Sequence, residues 1–379
     1  MSGASAIKHS KPRARDLGLL LPGTPGPHNA ITDVPGVLVG YETLSSHENP
    51  ELKTGDLPIQ TGVTAVLPRG FDATPRPVWA GQHTLNGNGE MTGSHWVRDG
   101  GYLVGPILMT NTHSVGIVHH AATRWMLDSY AEAWNSRHLW AMPVVAETYD
   151  GVLNDINGQH VTGDHALAAI RSARGGPVIE GNVGGGAGMI CYEFKGGTGT
   201  ASRALTIDGQ AFTVGVIVQA NHGIRPWLTV LGVPVGQYMQ EDRIGAASAE
   251  QGSIICLIGT DLPLLPSQLE RLARRATIGI GRGGSPGGNN SGDIFLSFST
   301  ANAIDLPQIS GPWRDLRCLN DEFLDPVYLA VVEAVDEAVL NAMLAADDTP
   351  TARPPGAVCR AIDAGRLTDI LKQHGRAAS

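Results

Sequence analysis

The apolar and polar positions of the chain alternate in short blocks that predict strands and helices in turn. Residues 253–259 form one continuous apolar run, which is typical of a strand buried on both faces. The run at residues 212–219 and the run IFLSFST predict two further strands. Between the first run and the last, four apolar residues recur at helical spacing: Leu265, Leu269, Leu272 and Ala276. This stripe predicts an amphipathic helix that packs on the strands.

The two ends of the chain continue this alternation. A DVPG turn that begins at Asp33 leads into a strand, and TGVTAVLP predicts another. Residues 119–137 carry apolar residues at helical spacing, and MPVVAETYDG then returns to strand-forming residues. Near the C-terminus, Asp325 as N-cap and Pro326 in the first turn begin a helix, with one apolar face formed by Val331, Val335, Val339 and Met343. The order of elements predicts an α/β fold.

The segment before the apolar run at residues 253–259 lacks regularly spaced apolar residues. Residues 236–252 predict an exposed loop, and this loop ends in the pair Gly252-Ser253 at the start of a strand. Taken alone, the pair is a turn into that strand. The alternative is self-cleavage, in which the Ser253 hydroxyl attacks the Gly252 carbonyl. The α-amine freed in this way has a usual pKa of about 7.7–8.0 and is able to act as a base for the same hydroxyl.

Composition narrows the class of protein. The chain has 379 residues, of which 42% are hydrophobic and 17% charged, with 49 glycines, so it forms a globular protein with a large core. A formal net charge of −9 argues against a nucleic-acid partner. Four basic residues near the N-terminus predict a solvated tail: Lys8, Lys11, Arg13 and Arg15. No apolar leader and no run of ~20 apolar residues is present, so we expect a cytoplasmic protein without a membrane partner.

The familiar cofactor and metal motifs fail on chemical grounds. The four cysteines are widely spaced and the 13 histidines show no HExxH pattern, so we expect reduced, buried thiols and no metal. A GxGxxG match begins at Gly279, but a helix precedes it and a strand follows, the reverse of a dinucleotide site. A GxSxG match at Ser285 is followed by Pro286, which lacks the N–H of an oxyanion donor. No cofactor is expected.

Five separated segments carry a family resemblance. They are NAITDVPGVLVG, ETYDG, VQANHG, GSIICLIGTDLPLLPSQLERLARRATIGIGRGG and NNSGDIFLSFSTAN, in this order. Over nearly its whole length the chain resembles the L-aminopeptidase/D-esterase (DmpA-like) family, whose relatives include β-peptidyl aminopeptidases. The resemblance implies one domain, residues 1–379, with a four-layer α/β/β/α sandwich like that of N-terminal-nucleophile hydrolases but with different connectivity. It also implies self-cleavage into an α chain (1–252) and a β chain (253–379), and assembly into homotetramers.

The same resemblance assigns roles to individual residues. It implies Ser253 as the nucleophile, supported by Ser291 and Asp293, and alternation along a strand would place that supporting pair on one face. Asn221 matches the family's oxyanion donor. Each residue also has an ordinary structural role to weigh against this one, since Asx turns favour asparagine and turns favour aspartate.

Two further residues concern the substrate. Tyr149 matches an active-site tyrosine of the family, although a half-buried aromatic ring is the ordinary reading. An aminopeptidase must bind a free ammonium, and Glu147 is the candidate carboxylate because it shares a strand face with Tyr149 if that segment is extended. The other reading is a surface glutamate. Further candidates for the pocket lining are Asn86, Asn88, Glu90 and the run Gly184-Gly185-Gly186.

The expected function is a self-processing serine aminopeptidase that releases N-terminal residues from small peptides, amides or esters through an acyl-enzyme on Ser253. One alternative is an acyltransferase of the ornithine acetyltransferase type, which also cleaves itself but uses a threonine nucleophile. Another is a non-catalytic small-molecule binding protein on the same fold. Loss of Ser253, Ser291 or Asn221 would have favoured that alternative, and all three are present.

Overall fold

The computed structural model describes residues 11–52, 55–137, 139–244 and 252–378. Its strands in chain order are β1 (Leu38–Ser45), β2 (Gln60–Leu67), β3 (Val78–Thr84), β4 (Tyr102–Leu103), β5 (Ile107–Asn111), β6 (Val144–Thr148), β7 (Ile190–Cys191), β8 (Phe194–Lys195), β9 (Gly197–Ile207), β10 (Gln210–Asn221), β11 (Ser253–Thr260), β12 (Gly292–Ser299), β13 (Thr349–Pro350) and β14 (Val358–Cys359). Its helices are α1 (Ser94–Gly100), α2 (Val115–Ser129), α3 (Ala131–Ser136), α4 (Gly163–Arg171), α5 (Val235–Tyr238), α6 (Pro266–Arg282), α7 (Asp325–Leu344) and α8 (Ala364–Gln373).

Two sheets lie face to face between two layers of helices. The larger sheet has the strand order β4-β3-β12-β11-β10-β9, and the smaller has the order β1-β2-β5-β6. Helices α6 and α7 pack on the outer face of the larger sheet, and α2 and α4 pack on the outer face of the smaller one. The four-layer α/β/β/α sandwich expected from the family resemblance is therefore confirmed.

Strand β11 shows why this sequence forms a central strand. Ile255 and Leu257 point into the core between the two sheets, whereas Ile254 and Ile258 point toward the helices of the larger sheet. All eight residues of β11 are buried. Burial of each such side chain contributes about 1.5–3 kcal/mol, so the continuous apolar run matches a strand covered on both faces, as predicted.

The helices follow the predicted stripes with shifted ends. Helix α6 buries Leu269, Leu272 and Ala276. It also runs on through Gly279, which the sequence analysis placed in a loop, because a Cβ there would come within 2.6 Å of Val335 on α7 and only glycine permits this close packing. Helix α7 begins at Asp325 with Leu324 as its N-cap, so the assignment of Asp325 as N-cap was wrong by one residue.

Two further predictions need correction. The helix predicted at residues 119–137 begins earlier, at Val115, and divides at Tyr130 into α2 and α3. The loop predicted at residues 236–252 contains part of the short helix α5 and the buried Met239. Residues 245–251 of that loop lie outside the described residues.

The basic residues near the N-terminus do not form a solvated tail. The Arg13 guanidinium lies 2.7 Å from the Glu180 carboxylate, and that of Arg15 lies 2.9 Å from Glu337 on α7. These partners are more than 160 residues away in the chain, so local composition gave no sign of them. Lys8 lies outside the described residues.

The remaining predictions concern thiols and membranes. Four free cysteines are present, and Cys318 is exposed, whereas the sequence analysis expected buried thiols throughout. Within the described ranges, no helix combines the length and the apolar character that crossing a membrane requires.

Candidate active site

Three neighbouring strands of the larger sheet bring the candidate residues together. Ser253 is the first residue of β11, where it pairs with Asn221 at the end of β10 and with Gly292 at the start of β12. Paired residues of adjacent strands point to the same face, so the side chains of Ser253 and Asn221 are direct neighbours. The structure thus joins two residues that are 32 positions apart in the sequence.

The Ser253 hydroxyl lies against the carbonyl that self-cleavage would attack. Its Oγ donates to the Gly252 carbonyl oxygen at 2.8 Å. The backbone N–H of Gly292 donates to Ser253 Oγ at 3.2 Å and to the Gly252 oxygen at 3.4 Å. One backbone amide therefore contacts both reacting groups and would polarise the carbonyl. Sequence reasoning missed Gly292, because a backbone donor leaves no residue-type signature.

Glycine is required at position 252 because there is no room for a side chain. A Cβ on this residue would lie 1.9 Å from the Asn221 carbonyl oxygen and 2.8 Å from the His222 Cα. Both are backbone atoms, at the last residue of β10 and the residue after it, so they cannot move aside as a flexible side chain would. Any other residue would displace the peptide bond before Ser253.

Ser291 and Asp293 lie together, as the sequence analysis expected. Ser291 Oγ donates to Asp293 Oδ1 at 2.6 Å, and both side chains are fully buried. They flank Gly292, whose N–H contacts the Ser253 hydroxyl. Asn86 adds a donor, since its Nδ2 reaches the Gly288 carbonyl at 3.0 Å and Asp293 Oδ2 at 3.4 Å. The pair is thus fixed one residue to either side of the contact with the candidate nucleophile.

The amide of Asn221 is oriented from two sides. Its Oδ1 accepts from the Ile190 N–H at 2.8 Å, and its Nδ2 donates to the Tyr149 carbonyl at 3.0 Å. An amide nitrogen carries two hydrogens, so a second N–H is available for a substrate oxygen beside Ser253. The sequence analysis placed Asn221 after a strand, whereas it is the last residue of β10.

Tyr149 and Glu147 occupy different surroundings. Strand β6 ends at Thr148, so the extended segment that would have placed both on one strand face is absent. Tyr149 is 43% exposed, whereas Glu147 is 4% exposed. The Glu147 carboxylate accepts from the Glu90 N–H at 2.8 Å and from the Thr112 hydroxyl. Burial raises the pKa of Glu147 above its usual value.

A buried polar network supports the turn after Tyr149. The carboxylate of Asp150 is fully buried and accepts from Asn111 Nδ2 at 3.0 Å and from Asn154 Nδ2 at 3.1 Å. Burial raises the pKa of Asp150 to about 6. On the other side of the site, burial lowers the pKa of His222 to about 4, so this ring is neutral at neutral pH.

A cavity of about 180 Å³ opens beside the peptide bond before Ser253. Its lining includes Tyr149, Ile190, Glu193, Asn221, Ile244 and Gly252. Among the described residues Glu193 is the charged member of this lining, and the sequence analysis did not single it out. The run from Gly184 to Gly186 lies instead in the core, within the 3-10 helix Gly184–Gly188.

The site holds the parts needed for nucleophilic attack on a carbonyl. It has a hydroxyl, amide donors for a developing oxyanion, a Ser–Asp pair and a cavity for a small substrate. Across the described ranges, no group of three or more His, Cys, Asp or Glu residues is arranged to hold a metal ion.

Known proteins are similar to this chain in sequence and in fold. The model of peptidase family S58 matches residues 29–354. A β-peptidyl aminopeptidase, BapA, from Sphingosinicella microcystinivorans is 48% identical, with 99% of this chain and 96% of that protein covered. The L-aminopeptidase D-Ala-esterase/amidase of Ochrobactrum anthropi, described as a variant of the Ntn hydrolase fold, superposes with a TM-score of 0.92 at 56% identity, covering 97% of this chain and 100% of that one. A β-aminopeptidase from a Burkholderia species superposes with a TM-score of 0.87 at 46% identity, covering 96% and 99%.

Proposed function

The chain belongs to peptidase family S58, and we propose that it is a self-processing serine aminopeptidase. The family and the relatives make it a hydrolase of the aminopeptidase and esterase type on an N-terminal-nucleophile fold. The observation that carries the finer proposal is the position of the Ser253 hydroxyl, which donates to the Gly252 carbonyl oxygen at 2.8 Å. If Ser253 only formed a turn into β11, nothing would require its hydroxyl to contact this carbonyl, or one backbone N–H to contact both groups.

Self-cleavage begins with attack of Ser253 Oγ on the Gly252 carbonyl carbon. The hydroxyl proton passes to the tetrahedral oxygen, toward which it already points, and Gly292 N–H stabilises that oxygen. The C–N bond then breaks as the tetrahedral oxygen gives up its proton and becomes the ester carbonyl, the Ser253 nitrogen takes up that proton, and an ester joins the two chains. Water hydrolyses the ester, leaving a Gly252 carboxylate, the Ser253 hydroxyl and a free Ser253 α-amine. Residues 1–252 and 253–379 are the two products.

Turnover then uses the new α-amine as the general base. It takes the proton of the Ser253 hydroxyl as Oγ attacks the substrate carbonyl, and it returns the proton to the leaving group. The free N–H of Asn221 Nδ2 stabilises the oxyanion, while the Ser291–Asp293 pair holds the amine in position. An acyl-enzyme forms on Ser253, and water releases the substrate's N-terminal residue.

The substrates are small peptides, amides or esters with a free amino group. The relatives are named as a β-peptidyl aminopeptidase and as an L-aminopeptidase D-Ala-esterase/amidase, which supports this class. Glu147 is the carboxylate that binds the substrate ammonium, with Tyr149 at the mouth of the cavity. Buried and already accepting two hydrogen bonds, Glu147 is fixed in one orientation.

Mass spectrometry and one pair of serine variants test the proposal. Active protein should contain a fragment that begins Ser-Ile-Ile, and Ser253→Ala should remain a single 39.8 kDa chain without hydrolysis of aminoacyl p-nitroanilides. Ser285→Ala is the matched control, because Ser285 is equally buried but lies in the rejected GxSxG match. It should be cleaved and active. An intact chain in fully active protein, or parental activity in Ser253→Ala, would refute the mechanism.

The proposal also covers the oligomeric state and the cellular compartment of the enzyme. Assembly of αβ units into tetramers is supported by exposed apolar side chains between residues 309 and 323, where Trp313 is 91% exposed. Light scattering should give four times the mass of one chain. Four free cysteines support a reducing compartment such as the cytoplasm.

A further inference from the structure

The hairpin formed by β7 and β8 turns through two residues in an unfavourable conformation. Tyr192 has a φ of 51° and Glu193 a φ of 59°. A two-residue turn of this kind normally carries Asn-Gly, because side chains disfavour positive φ. Each such residue costs of the order of 1–3 kcal/mol, and strain of this type gathers at functional sites. The side chains of Tyr192 and Glu193 must therefore be needed where they are.

The strained turn places the Glu193 carboxylate in the wall of the cavity beside Gly252. The residue is 6% exposed. Arg243 grips the carboxylate as a fork, with Nε 2.9 Å from Oε2 and Nη2 3.2 Å from Oε1. The N–H of Arg225 also donates to Oε2 at 2.8 Å. The charge of Glu193, the charged residue among the described residues of the lining, is thus capped by Arg243.

Two other charged residues near the pair, Arg225 and Glu241, have partners of their own. The Arg225 guanidinium stacks on Phe194 and donates to four backbone carbonyls, those of Tyr192, Glu193, Met239 and Glu241. Its role is to hold the hairpin against the segment that carries Arg243. The Glu241 carboxylate is exposed and pairs with Arg366 at 2.7 Å.

We propose that the Glu193–Arg243 pair sets the preference of the acyl pocket for the charge of the substrate's side chain, because Arg243 neutralises the carboxylate of Glu193. This inference rests on the proposed function, because Gly252 is the acyl-side residue of the self-cleavage and lines the same cavity. The substrate's N-terminal side chain takes this space. While Arg243 is paired with it, Glu193 offers no free carboxylate to a cationic side chain. The Gly252 carboxylate that self-cleavage leaves is the same in the parent and in every variant, so it does not affect the comparison of ratios.

Opposite charge changes at the two residues should have opposite effects on substrate choice. Arg243→Gln uncaps the carboxylate, so the ratio of kcat/KM for lysine over norleucine p-nitroanilide should rise about ten-fold. Glu193→Gln frees the guanidinium, so the ratio for glutamate over glutamine p-nitroanilide should rise by a similar factor. Arg243→Lys should give ratios between those of the parent and of Arg243→Gln, because it retains the charge but loses the two-point contact. All ratios are measured on the processed protein.

The double variant and one control complete the experiment. Glu193→Gln combined with Arg243→Gln should return both ratios close to the parental values, because neither charge remains. Arg366→Gln breaks the exposed pair with Glu241 on the same segment and should change neither ratio.

Several outcomes would overturn the inference. They are unchanged ratios in both single variants, the same lysine gain in the double variant as in Arg243→Gln, and failure of both single variants to undergo self-cleavage, since a pair that acts on substrate choice is not needed for processing. Parent protein that is neither cleaved nor active would instead refute the proposed function.

Discussion

The substitution Gly252→Ala tests the geometry of the candidate active site most directly. The added methyl group would lie 1.9 Å from the Asn221 carbonyl oxygen, whereas real Cβ atoms essentially never come closer than 3.0 Å. The peptide bond before Ser253 must therefore shift by about 1 Å. The ladders on both sides of Ser253 hold their own registers, so the shift falls on the scissile carbonyl rather than on the strands.

A displacement of this size has a large kinetic effect. Misplacing a reacting group by 1 Å lowers a rate on the order of 100-fold. In the parent structure the Gly292 nitrogen lies 3.4 Å from the Gly252 carbonyl oxygen, and the shift lengthens this contact. We expect self-cleavage of Gly252→Ala to be about 100-fold slower than that of the parent, with little change in the fold.

The assay is a time course of processing on a denaturing gel, with the fraction of uncut chain quantified after synthesis is stopped. Gly311→Ala is the matched control, because a Cβ there meets nothing within 4 Å. It should be processed at the parental rate. If Gly252→Ala were cleaved as fast as Gly311→Ala, the close packing around Gly252 would have no role in the reaction.

Three other predictions follow from the structure. Asn221→Asp keeps the acceptor for Ile190 but loses the N–H donor, so kcat for p-nitroanilides should fall by about 10²–10³ while KM changes little; an unchanged kcat would exclude Asn221 as the oxyanion donor. Burial lowers the pKa of Lys195 to about 7, below that of the unfolded chain, so the unfolded state binds the extra proton above pH 7 and stability rises with pH. Lys195→Met should therefore flatten the dependence of Tm on pH between about 7 and 9, and an unchanged slope would contradict this assignment. Leu257→Ala empties a site between the sheets and, in the uncut Ser253→Ala chain, should lower the free energy of unfolding by about 2–5 kcal/mol in urea titrations; in the same background the exposed Leu329→Ala should change it by less than about 0.5 kcal/mol, and equal effects would refute the packing argument.

The sequence predicted those parts of the fold that depend on local periodicity. The continuous run in β11 has the burial that its spacing indicated, and so do Leu269, Leu272 and Ala276 in the stripe of α6, whereas Leu265 is the half-buried N-cap of that helix. Ser291 and Asp293 are hydrogen bonded, but Ser291 lies one residue before β12, so strand alternation alone did not predict this contact.

The features that sequence reasoning missed depend on contacts between distant segments. Glu193 and Arg243 are 50 residues apart and meet only because a strained hairpin turns one toward the other. The Gly292 donor is a backbone N–H, which every residue type except proline supplies. The roles of Tyr149 and Glu147 in substrate binding remain predictions. Strand alternation could not anticipate that β6 ends at Thr148, between the two residues, so that their side chains have different surroundings.

Under the proposed self-cleavage, the order of strands in the larger sheet would set the lifetime of the molecule. Strands β11 and β12 follow Ser253 in the chain, yet they are inserted between β10 and β3, which precede it. Once the connecting bond is broken, the two polypeptides are no longer tethered, and after denaturation they must find each other by diffusion before this interlocked sheet can form again. Heat or urea would therefore inactivate the enzyme permanently, and the rate of unfolding would decide how long each copy survives.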